Sequence, residues 1–331
     1  MGVVATLEPA LDRRAAPRGL FLIFVVIAAV ALGRAVDLGR FAAVESFALV
    51  FTSIVVEALP FVLMGALVSA VIEVYVPETT FARIGSWPVA VQLPVAALGG
   101  FAFPVCECGS VPVARRLISR GLHPGAGIAF MLASPILNPI VLTSTLVAYR
   151  GRGVAWEMVA GRAGLGLILA LTAGWALGHD AEDLLRERVE PETQEHTNKR
   201  RALVDHLASD FFFMGRFVVA GAALAATLQT LIPQSLVSGV ARTPIVGSLA
   251  LMGIAFVLSL CSEADAFVAV SLTPFPLGSQ LAFLVFGPVV DAKLAFLYSA
   301  AFRRKFVGRL VLIAIPVVLA GSLWFEAVVG R

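Results

Sequence analysis

Apolar residues in this chain come in long unbroken runs, not in the short alternations of soluble helices and strands. The runs at 20–33, 47–72, 125–148 and 163–178 approach or exceed the roughly 18–20 apolar residues needed to cross a bilayer core. Turn residues between such runs predict nine spans, at about 19–36, 46–75, 88–105, 125–148, 155–178, 211–232, 245–270, 279–301 and 307–328. The alternating segments of roughly ten residues that a membrane β-barrel would require are absent. One stretch is clearly polar: residues 179–209 carry eight acidic and five basic side chains around Pro191-Glu192-Thr193-Gln194. It reads as a solvated linker between two halves. The fold class is therefore an all-α polytopic membrane protein of about eight or nine transmembrane helices. Its expected organisation is an N-terminal segment with the first span (1–44), a first repeat (45–178), the linker (179–209) and a second repeat (210–331).

The two halves echo one another. Leu59-Pro60-Phe61-Val62-Leu63-Met64-Gly65-Ala66 aligns with Gly215-Arg216-Phe217-Val218-Val219-Ala220-Gly221-Ala222. In the same order Pro77 falls on Pro233, Cys106 on Cys261, Ser134-Pro135-Ile136-Leu137-Asn138 on Gly287-Pro288-Val289-Val290-Asp291, and Gly161-Arg162 on Gly308-Arg309. Secondary transporters are commonly built from such repeats, with the substrate site at the repeat interface near mid-membrane. Four full spans per half would make the repeats parallel, whereas one re-entrant segment per half would make them inverted.

Composition agrees with the pattern: 59% of the 331 residues are hydrophobic and 14% charged, with mean hydropathy +0.92. Soluble proteins carry about 25% charged residues. The net charge of +3 reflects arginines at span ends, as the positive-inside rule requires. No basic patch interleaved with aromatics supports nucleic-acid binding. Arg13, Arg14 and Arg18 precede a first span read as retained, which places the N-terminus in the cytoplasm of a multi-pass cell-membrane protein. On that orientation Arg115, Arg116 and Arg120 fall outside, a conflict that a chain turning back around Cys106–Pro112 would relieve. Gly161, Gly164 and Gly166 follow no strand, and no Walker-type phosphate loop is present, so the chain has no ATPase of its own. Neither enzymatic chemistry nor a cofactor is expected. The four histidines (His123, His179, His196 and His206) lack paired metal-ligand spacing.

Chemistry concentrates at two places where polar groups interrupt apolar runs. Ionisable residues inside a membrane are rare and mark pathways or binding sites. The first is Pro104-Val105-Cys106-Glu107-Cys108-Gly109-Ser110-Val111-Pro112 and the second is Cys261-Ser262-Glu263-Ala264-Asp265. Prolines break a helix by removing a donor and crowding the preceding turn. Broken backbone at membrane depth survives only inside protein or beside a water-filled cavity. A half-helix starting near Ser110 would point its positive end at two sulfurs. Two thiols one residue apart suit soft ions such as Cu(I), Zn(II) or trivalent arsenic-type species, which makes Cys106 and Cys108 the candidate metal or metalloid ligands; the plainer alternative is cysteine as a small core hydrophobe. Ser134, Pro135 and Asn138, with Pro139, break the next span, and Asp291 with Lys293 offers a possible buried ion pair. Glu107, Glu263, Asp265 and Asp291 are candidate proton carriers, while Glu57, Glu73 and Asp210 near span ends read as interfacial.

Cys106-Glu107-Cys108-Gly109 with Pro112, followed by Ser134-Pro135 and Asn138-Pro139, resembles the ArsP-type (YraQ-like) predicted permeases over roughly residues 45–330. The resemblance implies about eight core spans in two halves. It also implies export of trivalent organoarsenicals, with Cys106 and Cys108 as ligands and Ser134, Pro135 and Asn138 shaping the pocket. Cys261 joins them through the repeat alignment. The resulting expectation is an efflux permease for a small thiophilic solute, using proton antiport, with the lipid bilayer and a metalloid or other small molecule as partners. The alternatives are a membrane thiol redox protein, in which Cys261 resolves a Cys106–Cys108 pair, and a divalent-metal transporter relying on the carboxylates.

Overall fold

The computed structural model describes residues 42–102, 106–179, 199–231 and 244–330. The expected first span at 19–36 and most of the 179–209 linker lie outside the described residues. The chain divides into two compact units, Met1–Leu49 and Val50–Arg331. Only residues 42–49 of the first are described, as the opening of a helix, and the architecture below is that of the second.

The described residues are helical: α1 (Ala42–Tyr75), α2 (Glu78–Gly85), α3 (Val89–Ala102), α4 (Glu107–Ser119), α5 (Pro124–Leu137), α6 (Pro139–Tyr149), α7 (Ala155–Gly178), α8 (Lys199–Leu231), α9 (Pro244–Leu258), α10 (Asp265–Ser271), α11 (Leu277–Phe286), α12 (Ala292–Ala301) and α13 (Arg304–Val329). Five stretches are long and apolar enough to cross a membrane: Val44–Tyr75, Pro124–Arg152, Ala155–Gly178, Lys199–Thr230 and Lys305–Val329. Large apolar side chains point outward, as Leu59, Leu63, Leu67 and Val71 do on α1, while Val62, Ala66, Ser69 and Ala70 are buried. On α7 the exposed Trp156 and Trp175 stand nineteen residues apart. That is about 28 Å along a helix, which matches the spacing of the aromatic belts at the two membrane interfaces.

Four predicted spans are interrupted, the 125–148 region dividing into α5 and α6 at Asn138. Residues 88–105 yield only α3, which with α4 forms a hairpin whose two arms meet at one end. A Cβ on Gly85 would lie 2.7 Å from Gly121 O, His123 N donates to Gln92 Oε1 (3.1 Å), and Gln92 Nε2 donates to Trp87 O (2.8 Å). Gly121, at φ +102°, makes the sharp turn that sends the chain into α5. The 245–270 region divides into α9 and the short α10, separated by unwound residues 259–264. The 279–301 region divides into α11 and α12, separated by 287–291.

Two ends of the bundle can be told apart. Arg120 binds Glu73 at the end of α1, and the start of α3 and the α4–α5 turn lie there too. Gly125 opens α5 against Gly174 and Gly178 at the close of α7, near enough that a Cβ on Gly125 would be 2.5 Å from Gly174 O. Small residues four apart permit this approach. At the opposite end Arg152 donates to Val270 O (2.9 Å), Tyr149 to Gln280 (2.8 Å) and Gly278 N to Glu326 (2.6 Å). The start of α9 is there as well, since Ser248 and Ser279 hydrogen-bond at 3.2 Å. Packing is paired: α3 lies on α5 and α9 on α11, α5 on α7 and α11 on α13, and each short segment crosses to the other half, α4 onto α12 and α10 onto α6.

Candidate substrate site

The unwound tips of the two interrupted segments meet midway between those ends. Cys106 is extended (φ −71°, ψ 174°) and is the N-cap of α4. The half-helix thus begins at Glu107, three residues before the expected start, and keeps Pro112 in its interior. Glu107 in the first turn suits the positive end of the helix. On the other tip, Ser259 adopts φ +45°, a region that non-glycine residues rarely enter. Its hydroxyl accepts from Ala292 N (3.1 Å) and donates to Phe256 O (3.0 Å), which ends α9 and ties the tip to the start of α12.

Glu107 joins the halves. Its Oε1 lies 2.8 Å from Lys293 Nζ, and its Oε2 accepts from Ser262 Oγ at 2.9 Å. Lys293 also donates to Leu260 O (3.2 Å), with Asp291 Oδ2 farther off at 3.8 Å. The expected Asp291–Lys293 pair is thus secondary to one with Glu107. All three side chains are buried, where a charge persists only if it is partnered, and the short Glu107–Lys293 contact meets that condition. Nearby, the fully buried Arg162 makes a bidentate pair with Asp265 (2.9 and 2.8 Å) and donates to Thr145 (2.9 Å) and Ser262 O (3.1 Å). The Cys261 thiol donates to Glu263 Oε2 at 2.6 Å, while the buried Glu263 Oε1 has no hydrogen-bond partner.

A cavity of about 10 Å³ lies here, walled by Ile54, Glu57, Ala58 and Phe61 of α1, by Cys106, Glu107 and Cys108, and by Ser259, Cys261 and Lys293. That is room for about one water. The three cysteines are buried free thiols. Among the described residues no three His, Cys, Asp or Glu side chains are arranged to hold a metal ion.

Ser134, Pro135 and Asn138 are placed at the neighbouring α5–α6 break and not in the walls of this cavity. Asn138 caps α6 through Oδ1, which accepts from Ile140 N (2.9 Å), with Pro139 at the first helical position. Its Nδ2 and the Ser134 hydroxyl are buried without partners. Asp291 does the same for α12, accepting from Leu294 N (2.6 Å), and its Oδ2 lacks a hydrogen bond. Asp265 is committed to Arg162. Of the residues read as interfacial, Asp210 is instead buried, bound by Ser69 (2.8 Å) and Arg116 (3.4 Å). Glu73 pairs with Arg116 and Arg120, and Glu57 reaches the cavity from an exposed position on α1. Sequence reasoning missed Arg162 as a site residue, although a lone arginine just inside an apolar run was a legible signal.

Membrane-length helices, two interrupted segments meeting at mid-depth and buried charges around a small cavity together describe a multi-pass membrane permease. The chain belongs to the predicted permease family ArsP_1, which matches residues 43–326. It is 41% identical over 283 residues to UPF0718 protein YcgR of Bacillus subtilis, covering 83% of this chain and 95% of that one. It is 34% identical over 266 residues to a putative two-component membrane permease complex subunit of Streptococcus mutans, covering 78% and 87% respectively. No solved structure matches. Membership of a permease family implies a small-molecule substrate and the membrane as partners.

Proposed function

We propose that this permease exports a small thiophilic solute, with trivalent organoarsenicals as the favoured substrates, through the cavity shared by Cys106, Cys108 and Cys261. The observation that carries this reading is the convergence of thiols from segments more than 150 residues apart in the chain on one mid-depth cavity. A monosubstituted arsenical with two hydroxyls can exchange both for thiols. Two As–O bonds break, two As–S bonds form, and the two thiol protons leave as water. Cys106 and Cys108 supply that pair, and Cys261 is a third thiol to which the arsenic can pass by exchange. Weak, multi-site binding of this kind suits release.

The exchange is proton-neutral, so antiport needs a separate carrier. Glu263 fits better than Asp265, because one of its oxygens has no hydrogen bond whereas Asp265 is fixed by Arg162. Asp291, with a similarly unbonded oxygen, is the second choice.

The halves are read as inverted repeats, each of three crossings and one re-entrant hairpin, with α11 and α12 in series as the fifth of six crossings. Support comes from the paired packing, from hairpins entering at opposite ends, and from the hydrogen bond between the alignment-equivalent Glu107 and Ser262, as expected beside a twofold axis. Among the described residues, Lys199, Arg200, Arg201, Arg83, Arg116, Arg120, Arg303 and Lys305 gather toward the Arg120 end, against Arg150 and Arg152 at the other. This argues for a cytoplasmic Arg120 end, with the N-terminus on the same side once the expected span at 19–36 is counted. The re-entrant turn also removes the conflict over Arg115, Arg116 and Arg120. The name of the Streptococcus relative raises a partner subunit as a further element of the reading.

The test is methylarsenite uptake into everted vesicles with and without a proton gradient, comparing the parent with Cys106→Ser/Cys108→Ser. Gradient-dependent uptake lost in the variant is expected. Unchanged uptake in a well-expressed variant would refute the cysteine site.

A further inference from the structure

Between the cysteine cavity and the Arg120 end lies a second cavity of about 40 Å³, lined by Ser69, Pro112, Arg115, Arg116, Ser119, Asp210 and Met214. It is polar and holds room for more than one water. Ion pairs bind its walls together. Arg116 Nη1 lies 3.1 Å from Glu73 on α1, and its Nη2 lies 3.4 Å from Asp210 on α8. Ser69 of α1 donates to that same Asp210 oxygen (2.8 Å), and Arg120 reaches both the carboxylate and the carbonyl of Glu73. One short helix, α4, therefore carries the cysteines at its beginning and, at its other end, an arginine holding α1 and α8 together.

The repeat alignment gives the corresponding cluster at the opposite end. Applying the offsets of 155–156 residues, Arg116 maps to Ser271, Glu73 to Gln229, Ser69 to Ala225 and Asp210 to Ile54. None carries a charge. Gln229 donates to Leu258 O (2.7 Å), and Arg152 holds that end through Val270 O and Gln280, all neutral acceptors.

We infer that Arg116 is the hub of a gate closing the Arg120 side of the cysteine cavity, and that this ionic lock, with no charge at the four aligned positions of the other half, biases the resting protein toward closure on that side. This rests on the inverted-repeat reading above. The gate acts by position: Arg116 controls how often α4 separates from α1 and α8, and it does not touch the substrate.

The experiment needs no substrate. A small membrane-impermeant methanethiosulfonate is applied to right-side-out and everted vesicles, and the modification rate of Cys106, Cys108 and Cys261 is read by mass spectrometry. Arg116→Gln is expected to speed modification from the Arg120 side by about tenfold, within the 5–150-fold span typical of coupling between sites, and Arg116→Lys to restore slow modification. Asp210→Asn, which keeps the side-chain shape, gives the same readout where Arg116→Gln folds poorly. Transplanting charge with Ser271→Arg/Gln229→Glu is expected to slow modification from the Arg152 side. Rates from the Arg120 side unchanged in both Arg116→Gln and Asp210→Asn would overturn the gate. Ser86→Cys, in a chain with its three native cysteines changed to serine, independently reports which face the Arg120 end occupies. An error of membrane orientation is thereby separated from failure of the gate, and neither depends on the identity of the solute.

Discussion

Replacing Lys293 by methionine isolates what holds the two halves together at mid-depth. Nζ lies 2.8 Å from Glu107 Oε1, with the two residues 5% and 2% exposed. At an effective dielectric of 20 the direct attraction is about 6 kcal/mol. Most of it offsets the desolvation of two charges, yet removing one partner of a buried pair costs about 3–5 kcal/mol because the other stays behind uncompensated. Lys293→Met leaves Glu107 without a cation, held by the Ser262 hydroxyl and a backbone N–H, so it should fall within that range. Glu107→Gln should cost less, because Lys293 keeps Asp291 3.8 Å away and the Leu260 carbonyl. The double variant removes the stranded Glu107 charge, leaving Asp291 with its Leu294 N–H cap, and should recover about 2–3 kcal/mol of the summed losses. Unfolding by sodium dodecyl sulfate in mixed micelles, followed by helical circular dichroism, gives all four corners of the cycle. Losses that add to within about 0.5 kcal/mol, as for independent sites, would show that the two side chains do not share a pair and would refute the reasoning.

Arg162→Met should likewise destabilise by about 3–5 kcal/mol, and Arg162→Met/Asp265→Asn by less than either loss predicts, in the same unfolding assay. Gly65→Ala puts a methyl 2.4 Å from Gly109 Cα and should cost about 1–3 kcal/mol through overpacking. Gly215→Ala, with nothing within 4 Å, should be neutral or slightly stabilising, and equal thermal midpoints for the two would contradict the close approach of α1 to α4. Burial, helped by the nearby His179 imidazole, holds His123 below the ordinary imidazole range, while its Nδ1 accepts from Gly125 N. The folded state then binds fewer protons than the unfolded one, so stability holds above about pH 6.5 and falls as the pH drops below it. His123→Asn keeps an acceptor for Gly125 N and should flatten the change in thermal midpoint between pH 7 and pH 5.

Hydropathy located the long helices because α1, α7, α8 and α13 are continuous apolar stretches whose length alone distinguishes them. It could not separate a crossing from a hairpin at 88–105: apolar residues line both, and the difference lies in Gly121 and in Gln92 reaching His123. Proline and polar clusters marked the interruptions at Cys106, Asn138, Cys261 and Asp291 because broken backbone leaves that chemical trace. The partner of Lys293 was not legible. Asp291 is two residues away in sequence, whereas Glu107 comes from the other half, and only folding places it nearer. Arg162 was read as a repeat marker because its carboxylate partner is also remote. The cysteines were found together because thiols are rare enough in this chain to be compared directly.

The Glu107–Lys293 pair spans 186 residues of sequence, and this has a consequence for biosynthesis. Ribosomes add about 5–20 residues per second, so for roughly 10–40 s the nascent first half carries Glu107 at the tip of α4 before its cation has been made. During that interval the acidic tip needs a watery refuge in the insertion machinery, or a proton, and α4 cannot settle. Ser259 waits as well, because Ala292 N is translated later. Each tip is finished by the last third of the chain, so a ribosome that stalls before residue 293 leaves a product with most of its helices and no completed centre.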